Sequence, residues 1–253
     1  MNNKIGLSVI IIVRNEEAMI ADALKSVNWA EEIIVFDTGS SDKTAQVARD
    51  TGVKVFQVPF RGYNFSKWRN QALKRAGENW ILYLDADERV TPLLKKEIQK
   101  VVKNKISAYA ISRRNFYLGK EMHYGGAWPD DVIRLFHRQD LIRWVGELHE
   151  QPVISGKIGK LKNPLIHLTH RDLSSMMEKT IDWTVIEAEL LFASNHPRVA
   201  WWRILRMMVT KFWKRIVLQQ AWRDGTEGWI NALFEVGNTF IIYARLWEMQ
   251  NKA

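Results

Sequence analysis

The sequence predicts an α/β fold: a mixed, mainly parallel sheet with flanking helices, followed by C-terminal amphipathic helices. Three observations lead there. Short apolar runs alternate with helix-periodic segments through the first hundred or so residues. The strongest run, Trp80-Ile81-Leu82-Tyr83-Leu84, is apolar at every position, as in a strand buried on both faces. From residue 173 onward, helical spacing replaces the alternation.

The elements follow in order. Residues 7–13 are an apolar, β-branched run and form the first strand. Residues 18–27 place Met19, Ala23 and Val27 at helical spacing. Residues 32–36 are the second strand, and Asp37-Thr38-Gly39-Ser40-Ser41-Asp42 turns the chain, with Ser and Asp as caps for a helix over 43–50. Gly52 suits the C-terminal cap of that helix. Residues 53–58 are the third strand. Ser66 is the expected cap of a helix over 67–76, which Gly77 closes before the fourth strand. Thr91-Pro92 opens a helix over 93–102, with proline at the first helical position. The periodicity then changes: strands are expected over 109–116 and 132–137, and 144–153 reads as irregular or short-stranded. Helices are expected over 173–193, 201–222 and 229–249, with a turn at Asp224-Gly225 and Gly228.

The polar clusters fall at the ends of these strands. Asn15 and Glu16 follow the first, Asp37 ends the second, and Asp85 and Asp87 end the fourth. In open parallel sheets, ligands bind beyond the carboxyl ends of the strands. Any one cluster also reads as a solvated strand end or helix cap; three on one edge point to a site. Side chains two apart on a strand point the same way, so Asp85 and Asp87 are expected to approach one target.

The chain has 253 residues, 47% hydrophobic, enough for one sizeable domain or one domain with a small appendage. With no cysteine, disulfides and thiol chemistry are excluded. A net charge of +9 predicts an anionic partner: phosphorylated ligands, an acidic membrane surface or nucleic acid. The 12 tryptophans suit surfaces that are wet on one side and apolar on the other. Neither a signal peptide nor a transmembrane helix is expected.

Val9-Ile10-Ile11-Ile12-Val13-Arg14-Asn15-Glu16-Glu17, Val35-Phe36-Asp37-Thr38-Gly39-Ser40-Ser41-Asp42 and Leu84-Asp85-Ala86-Asp87-Glu88 resemble, in order and spacing, the motifs of family 2 glycosyltransferases of the GT-A (Rossmann-like) fold. Thr38 departs from the acidic pair usual there. The second half resembles the branch of bacterial lipopolysaccharide and lipooligosaccharide core β-1,4-glucosyltransferases. The matching pieces are Arg134-Leu135-Phe136-His137-Arg138, Leu148-His149-Glu150, residues 167–171, Arg223-Asp224-Gly225 and Ala244-Arg245-Leu246-Trp247-Glu248. Residues 1–172 are then the catalytic domain, with 1–104 holding the nucleotide-sugar and 105–172 on the acceptor side, and 173–253 a helical region.

The resemblance implies an inverting transfer of a hexose, glucose above others, from a UDP-sugar donor to a heptose of a lipid A-linked core saccharide. A divalent cation, Mn²⁺ or Mg²⁺, assists departure of the diphosphate. Asp87 is its implied ligand, with His167 as a further ligand or else a structural histidine. Asp85, with Ala86 beside it, is implied at the donor sugar or ribose. Asn15 and Glu16 are implied at the nucleotide, Asp37 at the uracil, and Arg69 at the uridine or phosphates. Asp37 also reads as a turn cap and Arg69 as part of a solvated helix face. Glu150 is the favoured general base, with Asp131 or Asp130 as alternatives.

Along 201–218, Arg203, Arg206, Lys211, Lys214 and Arg215 share about half the helical wheel, opposite Trp201, Leu205, Met208, Val209, Phe212 and Ile216. That pattern fits an interfacial helix, and together with the lipid A-linked acceptor the resemblance implies a peripheral protein at the cytoplasmic face of the bacterial inner membrane. Burial against a second subunit is the other use of such helices. Other readings are a transferase acting on a polyprenyl-linked glycan or with another UDP-sugar, a non-catalytic nucleotide-sugar-binding scaffold, and a basic nucleic-acid-binding protein. The last fits poorly, because no recognised nucleic-acid motif is present and no nucleic-acid partner is expected.

Overall fold

The computed structural model describes residues 5–146 and 150–252. Leu148 and His149, part of the Leu148-His149-Glu150 motif, lie outside the described residues. The chain forms two compact units, Met1–Arg113 with Asp131–His167, and Arg114–Asp130 with Leu168–Ala253.

The first unit is built on a mixed sheet. Strands β1 (Leu7–Val13), β2 (Glu32–Asp37), β3 (Lys54–Gln57) and β4 (Trp80–Asp85) run parallel in the order β3-β2-β1-β4. Helices α1 (Ile20–Ser26), α2 (Thr44–Asp50) and α3 (Phe65–Leu73) connect them. After the short β5 (Glu88–Arg89) and α4 (Pro92–Val101) comes β6 (Ala108–Tyr117). Beyond it lie β7 (Lys120–Glu121), β8 (Asp131–His137), β9 (Leu141–Val145), β10 (Gln151–Ile154), β11 (Ile158–Lys160) and β12 (Leu165–His167). Strand β8 pairs antiparallel with both β4 and β6. β12 pairs antiparallel with β5, setting His167 opposite Glu88.

The apolar strands are buried on both faces, as their composition requires. Val9, Ile11 and Val13 pack with Leu82 and Leu84 against α1 and α4 on one face. Ile10, Ile34, Phe36, Ile81 and Tyr83 pack with Trp68 and Ala72 of α3 on the other. The register aligns the strand ends: Val13 lies beside Asp37 and Ile12 beside Asp85.

Several local expectations change. Asn64, not Ser66, caps α3, its Oδ1 accepting the Lys67 N–H at 2.9 Å. That helix ends at Leu73, and Gly77 instead donates its N–H to Glu32 Oε2 at 2.7 Å. Thr91 caps α4 as read, accepting from the Leu94 N–H with Pro92 in the first turn. The stretch read as irregular or short-stranded bears out the second reading, since short strands β9 and β10 pair antiparallel there.

The second unit contains helices α5 (Leu173–Ala193), α6 (Trp201–Phe212) and α7 (Gly225–Lys252). Asp172 and Ser175 form a capping box at the start of α5. The expected helix over 201–222 does not run through: a π-helical segment, Trp213–Leu218, and a 3₁₀ turn, Ala221–Asp224, follow α6. Gly228, read as part of a turn, is helical. A Cβ there would stand 2.0 Å from the Ala221 carbonyl oxygen, so glycine lets α7 start tight against the 3₁₀ turn. No helix of the described residues is long and apolar enough to cross a membrane.

Candidate active site

The first polar layer is a pair of interlocked loops at the ends of β1 and β2. Asn15 adopts a left-handed backbone, φ 53°, a conformation asparagine tolerates better than most residues. Its Oδ1 accepts the Ser41 N–H at 2.8 Å, and its N–H donates to Ser40 Oγ at 3.0 Å. The Glu16 N–H donates to Thr44 Oγ1 at 2.8 Å. Asp37 is fully buried. Its Oδ1 accepts from the N–H groups of Gly39 (3.2 Å) and Ser40 (2.9 Å) and from Ser40 Oγ (2.7 Å), and its Oδ2 accepts from Gln57 Nε2 at 2.9 Å. Asp37 therefore shapes this turn directly. Gly39 is needed twice over, for its φ of 95° and because a Cβ would stand 2.8 Å from Phe60 N. Thr38 turns inward, donating its hydroxyl to the Val13 carbonyl at 3.2 Å, a bond an ionised aspartate could not make.

The second layer is the turn after β4. Because the strand ends at Asp85, alternation no longer governs Ala86 and Asp87. Each of the two carboxylates has contacts of its own. Asp85 accepts a bond from Arg134 Nη2 on β8 and lies 3.8 Å from Arg69 Nη2 on α3. Asp87 Oδ2 stands 3.5 Å from His167 Nε2.

Arg69 joins two parts of the chain: its Nε donates to Glu150 Oε1 at 2.8 Å. The guanidinium also lies over the rings of Trp144 and Tyr83, 4.7 and 5.1 Å from their centroids. It is 5% exposed, so it is no solvated helix face. Glu150 and Asp85 thus sit at one buried guanidinium.

Four residues to which sequence reasoning gave no role, Glu88, Arg89, Arg113 and Arg134, hold this turn. Glu88 is 0% exposed. Its Oε2 accepts the Asp85 N–H at 3.0 Å, and its Oε1 lies 3.2 Å from Arg134 and 3.5 Å from Arg113. Arg89 donates to the Ala86 carbonyl at 2.7 Å and the Met19 carbonyl at 2.9 Å, pinning the turn from behind. A signal existed: arginines on strands of a buried sheet require partner carboxylates. Burial pushes the Asp85 carboxyl up, but Arg134 and then Arg69 outweigh it and hold the group below its ordinary value.

The alternative bases lie elsewhere. Asp131 accepts from Lys160 Nζ at 2.6 Å and Ser112 Oγ at 2.5 Å, and these bonds hold its carboxyl below the ordinary range. Asp130 belongs to the second unit, where it accepts from Asn115 Nδ2 at 2.9 Å. In that unit buried Asp224 accepts the N–H groups of His123 (3.1 Å) and Tyr124 (2.7 Å), fixing the loop before Gly125-Gly126.

Asp87 and His167 offer one carboxylate and one imidazole. Among the described residues, no group of three or more His, Cys, Asp or Glu could hold a metal ion. Two protein donors suit a cation that completes its shell with phosphate oxygens and water, as Mg²⁺ commonly does, rather than a closed protein cage.

A mixed sheet with helices on both faces carries acidic residues at the ends of its strands. The glycosyl transferase family 2 profile matches residues 8–157, more than half of the chain, and the protein belongs to that family. It is 25% identical over 262 residues, 97% of this chain and 93% of the relative, to the lipopolysaccharide core biosynthesis glycosyltransferase LpsC of Rhizobium meliloti. It is 26% identical over 261 residues to an uncharacterized glycosyltransferase of Rickettsia typhi, covering 98% and 88% of the two chains. Among solved structures, S. aureus TarS 1-349 in complex with UDP-GlcNAc superposes with a TM-score of 0.50 at 16% identity, covering 98% of this chain and 92% of that one. The fold is the GT-A fold expected from the sequence.

Proposed function

We propose that this chain is an inverting hexosyltransferase that moves glucose from UDP-glucose to a heptose of the lipopolysaccharide inner core, on an acceptor carried by lipid A. The observation that carries the proposal is the meeting of Asp85 and Glu150 at Arg69, beside the Asp87–His167 pair. LpsC, named for lipopolysaccharide core biosynthesis and matched over nearly its full length, supports the acceptor class. TarS, which shares the fold, was crystallised with a UDP-sugar.

In this mechanism Asn15, Glu16 and Asp37 line the uridine end, the Asp37 carboxylate retaining acceptor capacity beside its turn bonds. Asp85, held ionised and oriented by Arg134 and Arg69, accepts from the donor sugar's hydroxyls. Asp87 and His167 would hold Mn²⁺ or Mg²⁺, which would supply neutralising charge at the departing diphosphate. Arg69 bonds Glu150 Oε1 and leaves Oε2 to take the proton of the acceptor hydroxyl. The hydroxyl oxygen bonds to the anomeric carbon on the face opposite the diphosphate. The bond from that carbon to the phosphate oxygen breaks, and UDP leaves with the electron pair. Attack from the opposite face inverts the centre. Asp131 is the weaker candidate base, because Lys160 and Ser112 already occupy its oxygens. The enzyme works as a peripheral protein at the cytoplasmic face of the inner membrane.

The test is Glu150→Gln with UDP-glucose and a heptose-bearing lipid A-core acceptor. Transfer falls about 10²–10⁴-fold, while UDP affinity is unchanged. Near-normal turnover would move the base to Asp131 or Asp130.

A further inference from the structure

Helix α6 and the π-helical segment after it carry an exposed apolar stripe: Trp201, Leu205, Val209, Trp213 and Val217, each between 41% and 74% exposed. Single exposed apolar residues are ordinary on a protein surface, but five at four-residue intervals make a continuous band. The stripe is narrower than the wheel suggested. Phe212 and Ile216 pack inward, with Ile216 buried beside Ala221 and Ala232, and Ile204 and Met207 pack against Tyr243 and Leu246.

The charges divide in the same way. Lys211 and Arg215 lie 3.5 and 2.5 Å from Glu235 of α7, and Arg215 also donates to the Gly125 carbonyl. These two cations serve the unit's own packing. Arg206 and Lys214 stay exposed, each next to a stripe residue in sequence. From His196 through Arg223 the chain has 7 Lys and Arg residues and no Asp or Glu.

We propose that this stripe is the protein's docking surface for an anionic phospholipid bilayer, with Trp201, Leu205, Val209, Trp213 and Val217 entering the headgroup–acyl boundary and Arg206 and Lys214 meeting lipid phosphates. Charge decides the occupant. A two-fold interface would set the same patch against itself and oppose like charges, whereas an anionic leaflet attracts them. Leu205, Val209 and Val217 have no flat face to stack on nucleic-acid bases and gain only by leaving water. The inference concerns the second unit alone and rests on the peripheral placement proposed above, and its failure would leave the transferase chemistry untouched.

The test is flotation of the full chain with vesicles of phosphatidylethanolamine and phosphatidylglycerol, against phosphatidylcholine alone. The wild type floats with the anionic vesicles, and added salt weakens the binding. Trp201→Ser/Leu205→Ser/Val209→Ser abolishes flotation while leaving the melting transition in place, since each of the three residues is more than half exposed. Arg206→Gln and Lys214→Gln each weaken binding about fivefold. Equal flotation of the triple variant would overturn the proposal. So would a lipid-free dimer that the same substitutions disperse, or binding to single-stranded DNA in preference to the vesicles.

Discussion

Arg134 is the cation on which the turn after β4 depends, and Arg134→Met tests that directly. The side chain is buried and serves Asp85 and Glu88 together. Without it, among the described residues, Glu88 keeps Arg113 at 3.5 Å and the Asp85 N–H at 3.0 Å, and Asp85 keeps Arg69 at 3.8 Å. Removing one partner of a buried ion pair costs about 3–5 kcal/mol. For a chain of this size that lowers the melting temperature by roughly 6–20 °C. The cost depends on pH. In the wild type the folded Asp85 binds its proton more weakly than the unfolded chain does. Its contribution is therefore present above the unfolded carboxylate value near pH 4 and is lost as pH falls through the lower folded value. In the variant, burial with less compensating charge raises the Asp85 carboxyl, and the folded state binds the extra proton. Variant stability then falls as pH rises, by up to about 1.4 kcal/mol per pH unit for each such proton. Urea unfolding at pH 5 and pH 8 should show the gap between the two proteins widening at pH 8. A gap below about 1 kcal/mol, or one independent of pH, would refute the buried network as described.

Two further substitutions probe the loops around the site and the second unit. Gly39→Ala strains a φ of 95° and drives a Cβ to 2.8 Å from Phe60 N. It should destabilise by about 1–3 kcal/mol and weaken UDP binding in calorimetry, because Asp37 and Asn15 hang on the same turn. Asp224→Asn removes a carboxylate that accepts two loop N–H groups. It should cost about 1–3 kcal/mol in thermal melts and increase amide exchange at His123 and Tyr124.

Much of the first half can be read from the chain itself, because its information is local. Apolar runs such as residues 80–84 declare doubly buried strands, and Thr91-Pro92 declares a helix start. The strand-end positions of Asn15, Asp37 and Asp85 follow from the same pattern, and the register aligns them. What escaped depends on partners distant in sequence. Glu88 and Arg134 are 46 residues apart, and Arg69 and Glu150 are 81. No local rule couples them. Gly228 misled for a related reason: glycine punctuates turns by default, but here it admits the close approach of Ala221. The inward turn of Lys211 and Arg215 was hidden too, since a helical wheel does not contain Glu235.

In the proposed function the Asp85-Ala86-Asp87 turn, with His167, receives a nucleotide diphosphate through a divalent cation. Calorimetry with UDP, with and without Mn²⁺, on the wild type and Asp87→Ala tests it most directly. The account predicts that wild-type binding of UDP requires Mn²⁺ and that Asp87→Ala loses it while its melting temperature is retained. Binding of UDP that is equally tight without the metal, or unchanged in Asp87→Ala, would contradict it.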